Sequence, residues 1–330
     1  MPTYTEILET GLRALMKVGV PEPFAHQQMS LLIDAELCGH PSHGLLRLPR
    51  VIERIINGVS DPATQGEMSW KAESFLDVDG RQGLGPTVAL AAIEHLLDRV
   101  NSTGIAIAAV RNCNHLGMLA WYAEHVASRG KVLLALTISE ALVHPWGGRQ
   151  ALLGTNPIAV GVPAGPQPFV FDMATSVVSM GKIHDYANRG EAIPFGWALD
   201  ERGDPTTDAT AAKAGALAPF GGAKGYALGL AFEVLVASIT ACAVGRHVRG
   251  TLDSDRPTNK GDIFVVIEPA HGSGAAVSAF LKEVRTSRPA DPERPVRIPG
   301  DRAREHKQVK ARAGIQLPDE LWRRIRQLAA

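Results

Sequence analysis

Between Ser42 and Arg47 the chain places a hydroxyl, an imidazole and a guanidinium within six residues, in the run Gly39-His40-Pro41-Ser42-His43-Gly44-Leu45-Leu46-Arg47. An imidazole titrates near neutral pH, so a positioned histidine gives and takes a proton at modest cost. Arginine keeps its charge and grips a carboxylate through two parallel hydrogen bonds. The combination suits proton transfer on a small acidic substrate. The same residues also admit a plain structural reading, in which Ser42 caps a helix, His43 is a solvated loop residue and Arg47 covers apolar surface.

Two helical patterns hold this run. From Pro23 to Cys38, Phe24, Leu31, Leu32 and Ala35 recur at helical spacing, and Gly39 is a stop signal. Pro49 suits a first helical position, and Val51, Ile52, Ile55 and Ile56 form one apolar face ending at Gly58. At the amino terminus, Thr3 or Thr5 opens an amphipathic helix through Leu8, Leu12 and Leu15 in place of an export signal, so a cytoplasmic location is expected. Cys38, Cys113 and Cys242 carry no paired motif, which argues against a disulfide framework or zinc ribbon and fits a reducing compartment.

The 330 residues allow two or three compact units. Lys+Arg and Asp+Glu number 34 each, and this zero net charge argues against nucleic acid or an anionic membrane as the partner of the whole chain. Residues 281–330 are nevertheless locally basic, with 13 Lys or Arg against 7 Asp or Glu. Gly225–Val244 is apolar over a spanning length, but Glu233 at its middle would be costly in hydrocarbon, so a buried central helix is expected there. Strand patterns fall at Ser74–Val78, Gly104–Val110, Lys131–Ile138, Ile158–Val162, Phe169–Phe171 and Ile263–Ile267. The second and third, with a helical stretch Leu116–Ser128 between them, read as a β-α-β unit. Helices at both ends with strands between give an α/β or α+β class. Residues 1–65 together with 290–330 are expected to form a helical domain beside a sheet domain of 66–289, within which 172–262 is a partly separate helical subdomain. The Pro/Arg-rich residues 285–299 read as the loop back to the helices.

Ile263–Ile267 runs into Gly272-Ser273-Gly274-Ala275-Ala276-Val277, but Val277 stands where a dinucleotide fingerprint needs Gly or Ala, and no second strand ending in an acid follows. Any dinucleotide is therefore held without that fold. Four other transitions are dense in phosphate-compatible groups: Asn112-Cys113-Asn114-His115-Leu116-Gly117, Gly154-Thr155-Asn156-Pro157, Phe171 to Ser176 with Thr175 or Ser176 as a cap, and Gly221-Gly222-Ala223-Lys224-Gly225. Each alone reads equally as a turn or cap. His40, His43, His115, His144 and His184 keep a metal hydrolase open as a second class, although none pairs at i, i+4 with a neighbouring Glu. A non-catalytic binding protein is the third.

Taken in order, Ser42-His43-Gly44 with Arg47, Asn114-His115-Leu116-Gly117, Gly154-Thr155-Asn156-Pro157, Asp172-Met173-Ala174-Thr175-Ser176 with Gly181-Lys182, Gly222-Ala223-Lys224-Gly225-Tyr226 and Pro299-Gly300-Asp301 resemble the type 2 malate/L-lactate dehydrogenase family. That family includes ureidoglycolate dehydrogenase, diketogulonate reductase and reductases of cyclic imino acids, and the likeness runs through nearly the whole chain. The resemblance implies a homodimeric oxidoreductase using NAD or NADP on a small 2-keto or 2-hydroxy acid. Its fold would be a non-Rossmann cofactor domain with a mostly antiparallel mixed sheet, flanked by the helical domain. It implies that His43 is the proton donor or acceptor with Ser42 beside it, and that Arg47, His115, Thr155 and Lys182 meet the substrate. It implies a cofactor surface drawn from His115, Ser139, Asp172, Met173, Ala174, Thr175, Ser176 and Lys224, continued by Gly300, Asp301, Arg302 and Arg304, and no metal. Lys182 departs from the cyclic-imine reductases, which carry a carboxylate near this point; it favours a 2-keto acid or a second substrate carboxylate, with a cyclic imino acid as the alternative. Asp301, where Glu or Gln is commoner, leaves NAD versus NADP open, as do Arg302 and Arg304 beside it.

Overall fold

A computed structural model of the chain describes residues 2–330. Thr3 and Glu6 cap each other reciprocally to open α1 (Tyr4–Lys17). Then come α2 (Glu22–Leu37) and α3 (Leu48–Ile56), and the polar run between them winds into two 3-10 turns, Pro41–His43 and Leu45–Arg47. A hairpin of β1 (Glu67–Ala72) and β2 (Phe75–Asp79) leads to α4 (Gly85–Thr103), β3 (Ile105–Arg111), α5 (Leu119–Ala127), β4 (Val132–Thr137), β5 (Ile158–Val162) and β6 (Phe169–Met173). A smaller region follows: α6 (Met180–Arg189), β7 (Ala198–Leu199), β8 (Pro205–Thr206), α7 (Ala209–Ala212) and β9 (Ala216–Leu217). The chain ends with α8 (Ala223–Thr240), β10 (Gly261–Ile267), α9 (Ser273–Thr286), α10 (Asp301–Ala313) and α11 (Asp319–Ala329).

The main sheet runs β1-β2-β3-β10-β4-β5-β6, and only β2 and β3 are parallel, so it is mixed and mostly antiparallel. The expected β-α-β unit is split: β10 inserts between β3 and β4, with Ile263 opposite Ala109 on one side and Leu136 on the other. Alternation along β10 explains why it takes the centre. Phe264 and Val266 face a core shared with α4 and α5, whereas Ile263 and Val265 face Val236 of α8.

Both ends of the chain share a helical core, in which Ile7, Leu15, Met29 and Ile52 meet Leu321 and Ile325. On α3, Ile52 is buried and Val51 and Ile55 pack against that core, but Ile56 is 65% exposed, one step round from the apolar face expected to include it. A third core joins the three-stranded sheet β8-β7-β9 to α6 through Val143, Leu153, Ile183 and Leu217.

The helix expected to be buried at the centre is buried on one face only. Gly225, Gly229, Glu233, Val236 and Thr240 of α8 lie inward, while Leu228, Leu230, Val234 and Leu235 are exposed. The inward face is small because the 175 turn packs closely on it: a Cβ on Gly229 would lie 2.7 Å from the Thr175 side-chain Oγ1. Glu233 is no liability there, since it accepts the N–H groups of Gly154 (3.2 Å) and Gly245 (2.6 Å) and the Asn156 amide (2.7 Å). Thr175 and Ser176 do not cap a helix as expected. Thr175 is tied to the carbonyl of Thr155, and the cap of α6 is Ser179, whose Oγ accepts from Lys182 N at 3.2 Å.

Candidate active site

The turn carrying His43 is fixed from beneath by α2. Buried Glu36 accepts the Leu45 N–H at 2.9 Å, and a Cβ on Gly44 would collide with the same carboxylate oxygen, so this loop closes only over glycine. Lys310 of α10 donates to the Glu36 carbonyl at 2.6 Å, which links the turn to the C-terminal helix. Ser42 Oγ lies 3.1 Å from His43 Nδ1, and Arg47 Nε donates to the Ser42 carbonyl at 2.8 Å. The His43 ring stacks on His115 at 5.6 Å between centroids. His115 Nδ1 accepts the Gly117 N–H at 3.1 Å, which puts the proton of the neutral ring on Nε2.

Burial lowers the pKa of His43 to about 3, with the Arg47 and His40 charges adding to the effect. Burial also takes His115 well below its ordinary value, again with Arg47 contributing. Both imidazoles are neutral at pH 7, so in the chain alone His43 is a proton acceptor. Arg47 is itself lowered to about 10 by burial and then by the neighbouring Arg50 charge. Among the described residues no carboxylate pairs with either arginine.

A second concavity, a cleft of about 620 Å³, lies between the start of α5, the end of β6 and the start of α10, lined among others by Met118, Asp172, Met173, Gly300, Arg302 and Arg304. Asp172 Oδ2 accepts the Ala120 N–H at 2.8 Å, so the chain supplies its own anion to the N-terminus of α5. Asp301 is held by a two-point contact from Arg285, at 3.0 and 2.8 Å, and Arg304 is tied to Asp301 and the Pro168 carbonyl. Arg302 is exposed and has no partner among the described residues. Gly300 has φ of +90°, and a Cβ there would lie 3.0 Å from the Val170 carbonyl, so strand and helix close tightly at the cleft floor.

The remaining sequence-named residues fall into place around these two sites. Thr155 donates its N–H to Ser139 Oγ at 3.0 Å and accepts from Thr175, which joins Ser139, Thr155 and Thr175 in one bonded turn followed by the buried, partnerless hydroxyl of Ser176. Ala174 links Met173 of the cleft to Thr175. Gly181 packs on Ser42, where a Cβ would lie 2.8 Å from that residue's Cβ. Lys182 is exposed on α6, bonded to Asp185 at 3.2 Å. Lys224 is exposed in the first turn of α8.

Three residues that the sequence reading did not name also shape the site: Glu36, Arg50 and Arg54. Arg54 is buried and donates to Asn114 Oδ1 (2.9 Å), the carbonyls of Asp253 (2.8 Å) and Arg256 (3.0 Å), and Thr258 Oγ1 (3.1 Å), which clamps the 253–258 segment beside His115. The signal was present: Arg47, Arg50 and Arg54 stand at i, i+3 and i+7, one face of a helix.

A mixed, mostly antiparallel sheet beside a half-buried Ser-His-Arg turn places the molecule among the dehydrogenases: the chain belongs to the malate/L-lactate dehydrogenase family, which matches residues 3–326. It is similar to a dehydrogenase of known structure from Sinorhizobium meliloti, 50% identical with a TM-score of 0.96, the likeness covering 99% of this chain and 97% of that one. The malate/(S)-sulfolactate dehydrogenase of Methanothermus fervidus is 32% identical over 96% of this chain and 94% of that protein. The Delta(1)-pyrroline-2-carboxylate/Delta(1)-piperideine-2-carboxylate reductase of Pseudomonas aeruginosa is 35% identical over 98% and 97%.

Proposed function

We propose that this protein interconverts a small 2-keto acid and its 2-hydroxy acid, using NAD or NADP. The observation that carries the reading is the half-buried His43 imidazole, bonded to Ser42 and beside the Arg47 guanidinium, which has no carboxylate of its own. Arg47 holds the substrate carboxylate. Neutral His43 takes the hydroxyl proton during oxidation, and protonated His43 gives it back to the developing alkoxide during reduction. Bound substrate offsets the Arg47 charge and so raises the proton affinity of His43, which couples proton uptake to binding of the keto acid.

The cofactor, when bound, supplies or accepts the hydride at the substrate carbon. Met118, Asp172, Met173, Gly300 and Arg302 of the cleft hold it, without the doubly wound dinucleotide fold. The cleft lies within the size range of small-molecule sites, and its free guanidinium and the N-terminus of α10 are donors suited to phosphate oxygens.

Reduction of a cyclic imino acid is the second reading, supported by the 35% identity to the Pseudomonas aeruginosa reductase. A protonated imine is a cation, and Arg47 and Arg50 disfavour it, so we place the keto acid first. The exposed Leu228, Leu230, Val234 and Leu235 on α8 support a homodimer in which a second copy covers this face, to be checked by the solution mass. The three free cysteines support a cytoplasmic location. The deciding experiment presents 2-keto acids and cyclic imino acids with NADH and with NADPH. Consumption with keto acids is expected; consumption with imino acids alone selects the second reading, and none with either class overturns both.

A further inference from the structure

The helix α10 is attached to the rest of the chain without an apolar anchor. Among the described residues it adds nothing to any apolar core, and none of its 13 residues is buried. What holds it is polar and falls at two places. At its start, Asp301 takes the two-point contact from Arg285, and Arg304 reaches the Pro168 carbonyl, on the floor of the 620 Å³ cleft. Further along, Lys307 pairs with Asp34 of α2 at 2.5 Å, and the His306 ring covers Gly39, where a Cβ would lie 2.5 Å from its Nδ1. Lys310 donates to the Glu36 carbonyl in the last turn of α2, where the helix dipole favours a cation. Glu36 also uses its carboxylate to accept the Leu45 N–H. One residue of α2 is thus gripped by α10 through its carbonyl, and grips the turn carrying His43 through its side chain.

From this placement we infer that Lys307 and Lys310 are positioning residues, and that through them α10 couples occupancy of the cleft to the order of the His43 turn. The inference rests on the reading of the cleft as the cofactor site. Half-exposed ion pairs add little stability, and a helix without apolar burial belongs among the easily opened parts of a fold. Donors at the cleft end of α10, Arg302 foremost, engage an anion fully only when the helix is docked. Docking also seats Lys310 on Glu36, and Glu36 on Leu45. Coupling of this kind is reciprocal, so whatever firms the turn raises the affinity of the cleft by the same factor. A shorter route competes with it: His40 lines the cleft itself, two residues before Ser42, and direct contact there would firm the turn without α10. The two routes differ in whether Lys310 matters.

Hydrogen exchange read by mass spectrometry separates them, on the peptide holding residues 41–48 and on one from the middle of α4 as a measure of overall stability. The parent, Lys310→Met, which keeps the chain length and removes the donor, and Lys310→Arg, which restores a donor, are compared alone and with saturating NADH or NADPH. Lys310→Met should speed exchange of the 41–48 peptide in the ligand-free protein by about threefold or more, with the α4 peptide unchanged. In the parent, cofactor should slow the 41–48 peptide by about tenfold, within the ordinary range of coupling between sites. In Lys310→Met that slowing should fall below about twofold and cofactor affinity should drop to match, while Lys310→Arg recovers most of both. Equal slowing in parent and Lys310→Met shows that the coupling runs through His40, and overturns the proposal. So does a parent whose turn ignores bound cofactor, and so does faster exchange in the α4 peptide alongside the 41–48 peptide, which marks a loss of overall stability. If neither NADH nor NADPH binds the parent, the cofactor reading falls and the coupling with it, while the ligand-free comparison still decides whether Lys310 positions the turn.

Discussion

His43 and Arg47 are neighbours with different work, so their replacements should fail differently. His43→Ala removes the proton acceptor and should lower kcat by about two to four decades with a modest change in KM. Arg47→Lys keeps a positive charge but loses the forked grip, and should act chiefly on KM. Steady-state kinetics with the preferred acid checks both, and wild-type turnover in His43→Ala would remove the imidazole from the mechanism. These two residues were legible in the sequence because type and spacing alone define what they can do. Glu36 and Arg50 were not, since a carboxylate in a helix pattern and an arginine on an amphipathic face ordinarily mean a solvated surface. Only tertiary packing shows that Glu36 is buried under Gly44 and that Arg50 lacks a partner.

Elements, more than single groups, decide how the two sites are joined. Arg54 makes the most bonds between α3 and the segment holding Thr258, beside Asn57 on the Ser254 carbonyl and Gln82 on the Thr258 backbone, so Arg54→Met should leave buried oxygens unpartnered and cost roughly 3–5 kcal/mol in urea unfolding. A loss below about 1 kcal/mol would mean that the 253–258 segment holds itself. At the other site α10 offers two arginines of unequal standing. Arg302→Ala should weaken the cofactor about tenfold, whereas Arg304→Ala should mainly loosen the α10 junction, because Arg304 is already committed to Asp301 and Pro168. Fluorescence titration at fixed salt reads the first, thermal unfolding the second. The sequence treated these arginines alike; a run of basic residues does not reveal which is paired. It likewise read β3, α5 and β4 as one unit, since each has its own local period, but nothing local to them announces that β10, from residues 261–267, will separate the two strands. The hairpin strand β1 went unread although its signal was present: Met68, Trp70 and Ala72 alternate with Glu67, Ser69 and Lys71, the period of a strand with one face turned to the core, where Met68 and Trp70 pack.

For the whole molecule, the half-buried imidazoles of His43 and His115 contribute a pH dependence of stability with a defined sign. His43 and His115 are both held below their ordinary value of 6.5, the first at about 3, mainly by burial. The unfolded chain therefore binds protons near pH 6.5 that the folded chain refuses, and the folded state loses ground as pH falls from there towards 3. Each group contributes a slope of up to about 1.4 kcal/mol per pH unit once the pH is well below 6.5. Asp172, raised by burial to about 6, acts in the opposite sense together with Glu36 and Asp262, also raised by burial, because the folded chain takes their protons first over a window that runs from their ordinary value near 4 up to the raised one. The imidazole part is isolated by comparing the parent with His43→Asn between pH 6.5 and about 5.5, where the carboxylate contributions are common to both. As the pH is lowered across this interval the parent's urea midpoint should thus lose ground relative to that of the variant, with protomer concentration fixed because association would shift both. His43→Asn should reduce the pH slope by close to one proton while leaving the fold and the His115 contribution in place. A slope unchanged in that variant would show that His43 carries its proton in the folded chain, and with it the electrostatic basis for reading this residue as a base would be lost.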